Sequence, residues 1–324
     1  MQHDRKYRFV MSLPFLGLLL IFMYVTAWHL PADNYDRWIP IIAGFMNIGD
    51  IPVLQSHLLA TFFLIITSFS LYTFNEKYIM AGRLSLFLPI IYLILALTSQ
   101  KSLLFSGVSV ATLLIIWAVY CSLNTKKEDQ CIFISVFLAA SAALFEPLAL
   151  YLLPVVLFFS MRNIVVTFRT IVLASLALFI PFIFIFALRF LFFDDAVIFG
   201  QEYFDRLRFG NIFSPQIKSV SDIFFIITLF FLIIATIKDV MKRINSFKII
   251  KSASFVRFIS MIFLMSLTLL LYPDSGSWVM QVISIPAAVL IVESTGEIEN
   301  SHNKRLGFLI VTIFMVVSRV SCFI

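Results

Sequence analysis

The chain has 324 residues, 61% of them hydrophobic and 13% charged, with a mean hydropathy of +1.02 and a formal net charge of +6. A soluble domain carries about 25% charged and about 45–50% apolar residues, so water cannot dissolve this surface and the composition points to an integral membrane protein. In such a protein the basic residues mark the cytoplasmic side and are no nucleic-acid footprint, while three scattered cysteines (Cys121, Cys131, Cys322) exclude a disulfide framework.

The first apolar run, residues 9–28, follows Arg5, Lys6 and Arg8 as a signal peptide would. It is too long for a signal core of 7–15 residues and lacks a small-x-small cleavage site, so it reads as a retained first span. Further spans, each needing about 20 mostly apolar residues, are expected near 54–75, 80–98, 104–122, 170–193, 222–240, 254–272, 276–293 and 306–323. Pro14, Pro89, Pro181 and Pro286 fall inside such runs and are tolerated where neighbouring helices satisfy the freed carbonyls. The absence of N-x-S/T acceptor sites favours a bacterial inner membrane.

Residues 131–160 are the ambiguous stretch, thirty apolar positions interrupted by Glu146-Pro147. A single helix of that length would be about 45 Å long and would need a tilt of about 50°, outside the usual range of roughly 0–40°. It would also set Glu146 at the bilayer midplane, at a cost of several kcal/mol. A hairpin of two short helices with Glu146-Pro147 at an outer turn removes both difficulties. It also places Arg162, Arg169 and the basic run from Lys238 to Arg257 on one side with Lys77, Lys126 and Lys127. The expected fold is therefore an all-α polytopic bundle of about eleven crossings in one domain, 1–324, with the N-terminus cytoplasmic and the C-terminus outside.

Two outer loops and the hairpin turn hold the candidate site. Asp33 and Asp36, just beyond the first span, are spaced to share a helix face, and could act as a general base or hold a divalent ion. Residues 192–222 mix aromatics with charges and read as an amphipathic interfacial helix bounded by Gly200 and Gly210. Its Arg206 and Arg208 present donor forks suited to a phosphate or to ordinary lipid headgroups. Glu146 could bind a substrate hydroxyl or a cation, or simply mark the turn. Arg189 is expected to snorkel to the interface, with His57 a satisfied interfacial histidine and His29 an interface anchor. No nucleotide-binding or hydrolase motif occurs, so no cofactor is expected; no Cys/His cluster occurs, so no structural metal is expected. Coupled transport has little support, because the spans hold almost no midplane ionisable residue and no repeat.

The segment ALFEPLALYLLPVVLFFSMRN, residues 143–163, resembles the outward hairpin of the polyprenyl-carrier-dependent glycosyltransferases of the GT-C class, through Glu146, Pro147, Pro154 and Arg162. Residues 277–294 resemble a late Pro-containing span of the same class. By length and pattern the chain looks more closely like a family of bacterial polytopic inner-membrane proteins sharing that layout. The resemblance implies sugar transfer from a polyprenyl-phosphate carrier at the outer face. Asp33 or Asp36 would be the base, with Arg206 and Arg208 on the lipid phosphate and Glu146 in substrate binding. The sequence departs from the class in lacking a clear copy of its acidic first loop and in having Glu at a turn where a basic residue is frequent. The competing expectation is a non-catalytic component of envelope assembly that binds lipids or other membrane proteins.

Overall fold

In the computed structural model the described residues are 2–29, 51–78, 86–98, 102–123, 128–161, 167–193, 195–207, 220–272, 276–300 and 302–321. They form an all-helical assembly: α1 (Gln2–Trp28), α2 (Val53–Tyr78), α3 (Phe87–Ala96), α4 (Gly107–Ser122), α5 (Glu128–Phe145), α6 (Leu153–Met161), α7 (Phe168–Phe192), α8 (Ala196–Arg206), α9 (Val220–Arg243), α10 (Ile249–Leu271), α11 (Gly276–Asn300) and α12 (His302–Ser321). Among the described residues no strand is present. Three helical stretches, Val53–Lys77, Phe168–Phe192 and Ile249–Leu269, are long and apolar enough to cross a membrane, and six shorter helical stretches are apolar as well.

The centre of the bundle is α11, which packs on α3, α9, α10 and α12. From Val279 to Val292 nearly every side chain is buried, on all sides of the helix. A helix apolar around its whole circumference must be enclosed by protein or by lipid, and here it is protein. The opposite case is α7, of whose apolar stretch only about a fifth is buried. Its start is set by Thr167, whose hydroxyl accepts from the Thr170 amide while the Thr170 side chain accepts from the Thr167 amide, a reciprocal cap that satisfies two orphan donors. The prolines sit where the pattern allows: Pro14, Pro181 and Pro286 lie within helices, and Pro89 lies in the first turn of α3, where no amide is needed.

Residues 131–161 fold back on themselves. The α5 helix ends at Phe145, and Glu146 takes an extended backbone (φ −139°, ψ 108°), the conformation that a following proline enforces. A short 3-10 turn, Pro147–Leu152, then leads into α6. The Oγ atoms of Ser135 and Ser160 are 2.8 Å apart; on one straight helix the two residues would stand about 37 Å apart. The α5 arm packs tightly on α4, with Gly107 against the end of α5 at Phe145 and Ala118 clustered with Ala139, small residues of the kind that let helix backbones approach.

Arg257 of α10 shows which helix ends lie together. It is 2% exposed, and its Nη2 donates at 3.0 Å to the carbonyls of both Ser122, ending α4, and Phe159, near the end of α6. A guanidinium on two helix C-termini meets orphan carbonyls and the negative end of each dipole. The same end of the bundle holds Lys77, donating to the Tyr120 hydroxyl at 2.7 Å, and the exposed Arg169–Asp129 pair. It also holds Glu293 of α11, bridged by Lys251 at 2.8 Å and by Arg243 at 3.9 Å. The segments flanking 124–127 and 162–166, with the α9–α10 connection, thus converge on one basic end.

Candidate functional site

The end opposite the basic one is built differently. Residues 102–106, an irregular and buried loop, precede α4, and a buried loop must place its backbone polar groups. It does so on α2: the Phe105 amide donates to Ser56 Oγ at 2.9 Å, and His57 Nδ1 lies 2.8 Å from the Leu103 carbonyl. His57 is buried and stacks on Trp28 at 4.8 Å, so it is a satisfied histidine, as expected, while His29 is exposed at the end of α1. Immediately after the loop, Gly107 meets the last carbonyl of α5. A Cβ there would lie 1.9 Å from the Phe145 oxygen.

Beyond Phe145 the hairpin turn sets half-buried Glu146 beside α8. That helix is amphipathic, burying Phe199 and Tyr203 against Leu144 and Ile185 while Val197, Ile198 and Phe204 are exposed. Gly200, expected to bound this helix, lies inside it, where a Cβ would meet the Phe186 ring at 3.4 Å, an ordinary contact. Arg189, expected to snorkel, is instead 3% exposed. Its Nη1 donates at 2.6 Å to Asp195, which begins α8, and its guanidinium lies 4.3 Å from the centre of the Phe199 ring. An ion pair across the α7–α8 corner offsets burial of the charge, which is why the side chain need not reach for water.

A run of tyrosines completes this rim. The Tyr203 hydroxyl donates to the Ala143 carbonyl at 2.9 Å. The Tyr272 hydroxyl, ending α10, donates to the carbonyl of Leu207 and meets the hydroxyl of Tyr151 in the 3-10 turn. Tyr203 and Leu207 are one turn apart, so the hydroxyl links tie the hairpin, α8 and α10 together. Burial, and after it the charge of Glu146, hold the Tyr203 phenol above its ordinary range, so it remains a proton donor at any working pH.

Of the residues expected to form a site, the structure brings Glu146 and the α8 turn carrying exposed Arg206 to the same rim. Asp33, Asp36 and Arg208 lie outside the described residues. Sequence reading missed Tyr151, Tyr203, Tyr272 and the Arg189–Asp195 pair; the only local signal was the density of tyrosine and charge on either side of α8. Among the described residues no group of three His, Cys, Asp or Glu is placed to hold a metal ion. Comparison with protein-family models, with curated proteins and with solved structures finds no match to the chain.

Proposed function

We propose that the chain is a multi-pass inner-membrane protein that transfers a sugar from a polyprenyl-phosphate carrier at the outer face. The observation that carries this reading is the division of chemistry between the two ends. One end gathers Lys77, Arg169, Arg243, Lys251 and Arg257, as a cytoplasmic face does. The other holds a carboxylate at a helix break, a tyrosine rim and an interfacial helix. On this reading eleven passes link the ends: α1 to α5, the arm Pro147–Met161, α7, and α9 to α12, with α8 lying aside. The many exposed apolar side chains, Phe168, Ile183, Phe184, Phe231 and Phe263 among them, would then face acyl chains. On this reading Asp33 or Asp36 takes the proton of the acceptor hydroxyl and Glu146 orients that acceptor. Arg206 and Arg208 stabilise the departing lipid phosphate, where charge develops in the transition state.

Deletion of the gene is expected to accumulate one polyprenyl-linked sugar species, read by mass spectrometry of extracted lipids. Asp33→Asn and Asp36→Asn in the full chain are expected to reproduce that accumulation. A normal lipid profile and normal surface glycans in both variants, with the protein present at wild-type level, would sink the catalytic reading. For the topology, a reporter fused after Lys251 is expected to read as cytoplasmic; an external signal there would invert the second half of the bundle.

The largely uncovered apolar face of α7 favours a second reading, a non-catalytic component of envelope assembly that packs on another membrane protein. A stoichiometric partner that co-purifies and is lost on polar substitution of Ile183 and Phe184 would support it.

A further inference from the structure

We propose that the corner joining α9 to α10 binds the headgroup of an anionic phospholipid. The proposal uses the membrane reading of the chain and nothing from the reading of the opposite end as a sugar-transfer site. Five cations fall between residues 238 and 251, namely Lys238, Lys242, Arg243, Lys248 and Lys251, and the structure divides them into two groups. Arg243 and Lys251 are committed inside the protein. Both reach the nearly buried Glu293 of α11, at 3.9 and 2.8 Å, and both lie over the Phe247 ring, 5.8 and 4.5 Å from its centre. One carboxylate and one ring thereby pin the end of α9 to the start of α10. The connection is a single 3-10 turn, Ile244–Ser246, closed by the Ser246 hydroxyl donating to the Arg243 carbonyl at 2.7 Å.

The other three cations stand outside these contacts. Lys238, Lys242 and Lys248 are exposed and, among the described residues, take part in no ion pair or side-chain hydrogen bond. Lys238 and Lys242 share one face of α9, a turn apart, and Lys248 directly precedes α10 across the pinned turn. Within residues 238–251 the one acid is half-buried Asp239, so the exposed charge of the corner is positive. Charge alone would suit any polyanion; the apolar side chains among the lysines decide the class. Ile249 is 88% exposed, and Met241 and Ile250 are exposed beside the same turn. Water is a poor medium for such side chains, whereas a lysine lays its stem along apolar surface and keeps its ammonium in the headgroup layer. Basic and apolar side chains mixed at one corner fit the boundary between acyl chains and headgroups, where anionic lipids attract each lysine within a Debye length. A dissolved acidic protein would meet the lysines and leave Ile249 in water.

The test uses the full chain in detergent micelles doped with phosphatidylglycerol or with phosphatidylcholine of the same acyl chains, and native mass spectrometry reads the lipid bound. Phosphatidylglycerol is expected to bind at least about tenfold more tightly, from lysines that each contribute about fivefold near an anionic surface. Lys242→Gln combined with Lys248→Gln is expected to lower that ratio by about fivefold or more. Arg169→Gln, at the same end of the bundle but already paired with Asp129, is expected to leave it unchanged. Ile249→Ser is expected to weaken both lipids alike. Equal binding of the two lipids by the unaltered chain overturns the proposal. So does a preference that Arg169→Gln lowers as far as the lysine pair does, because the attraction would then belong to the whole basic end. A soluble acidic protein that co-purifies through the same lysines, with no lipid preference, overturns it as well. None of these outcomes touches the lipid-linked intermediates of the deletion strain, so sugar transfer stands or falls separately.

Discussion

Gly107→Ala is expected to disrupt the α4–α5 contact, with a loss of stability of about 3 kcal/mol or more, at the upper end of overpacking costs. The added methyl would sit 1.9 Å from the Phe145 oxygen and 2.7 Å from its carbonyl carbon. Both are backbone atoms at the end of a helix, so no rotamer change relieves the clash. Either α4 moves away from α5 by more than 1 Å, or the hairpin turn shifts and carries Glu146 with it. The small residues further along the same seam magnify the effect, since Ala118 and Ala139 contact each other only while the helices stay close. Unfolding of the purified variant in mixed micelles measures the loss. Ala111→Gly, which removes a methyl from the same helix face, should cost far less, about 1 kcal/mol.

Arg257→Leu is expected to cost about 3 kcal/mol. Its guanidinium serves two carbonyls at helix C-termini, and each buried acceptor left without its donor costs about 1–3 kcal/mol. Contact of the guanidinium with the Phe159 ring at 5.3 Å would go too. Arg257→Lys should recover only part of the loss: one ammonium carries donors enough for the two acceptors that the single Nη2 serves, but it lacks the planar guanidinium face that lies against the Phe159 ring. If Arg257→Lys falls as far as Arg257→Leu, the role lies in the guanidinium's placement against Phe159, and if neither falls, the two carbonyls are served in another way. The same unfolding measurement decides it.

The all-helical character was legible because long apolar runs are written in composition. The hairpin followed from arithmetic on length and from one Glu-Pro pair, and the Ser135–Ser160 contact agrees with it. The position of α11 was not legible, since residues 279–292 and residues 171–184 are both strongly apolar while one helix is enclosed by protein and the other is not. Periodicity separates core from water; it does not separate core from lipid. Arg189 was misread for a related reason: an arginine at the end of a span has two solutions, water or a buried partner. Asp195 lies six residues on, across a change of helix direction, where no spacing rule points. The tyrosine rim was invisible because its partners are 60 to 121 residues apart. Glu146 and Arg206 could be singled out from sequence because a charge inside or beside an apolar run stands out by itself.

The burial of α11 also bears on how the protein is made. The ten-residue α3 rests against α11, about 190 residues later in the chain. At a synthesis rate of about 5–20 residues per second, α3 emerges about 10–40 s before the surface it packs against. During that interval the faces of α3, α9 and α10 that pack on α11 lack their partner. Chain ends lost upstream of residue 276 would therefore leave those faces uncovered and not merely shorten the protein.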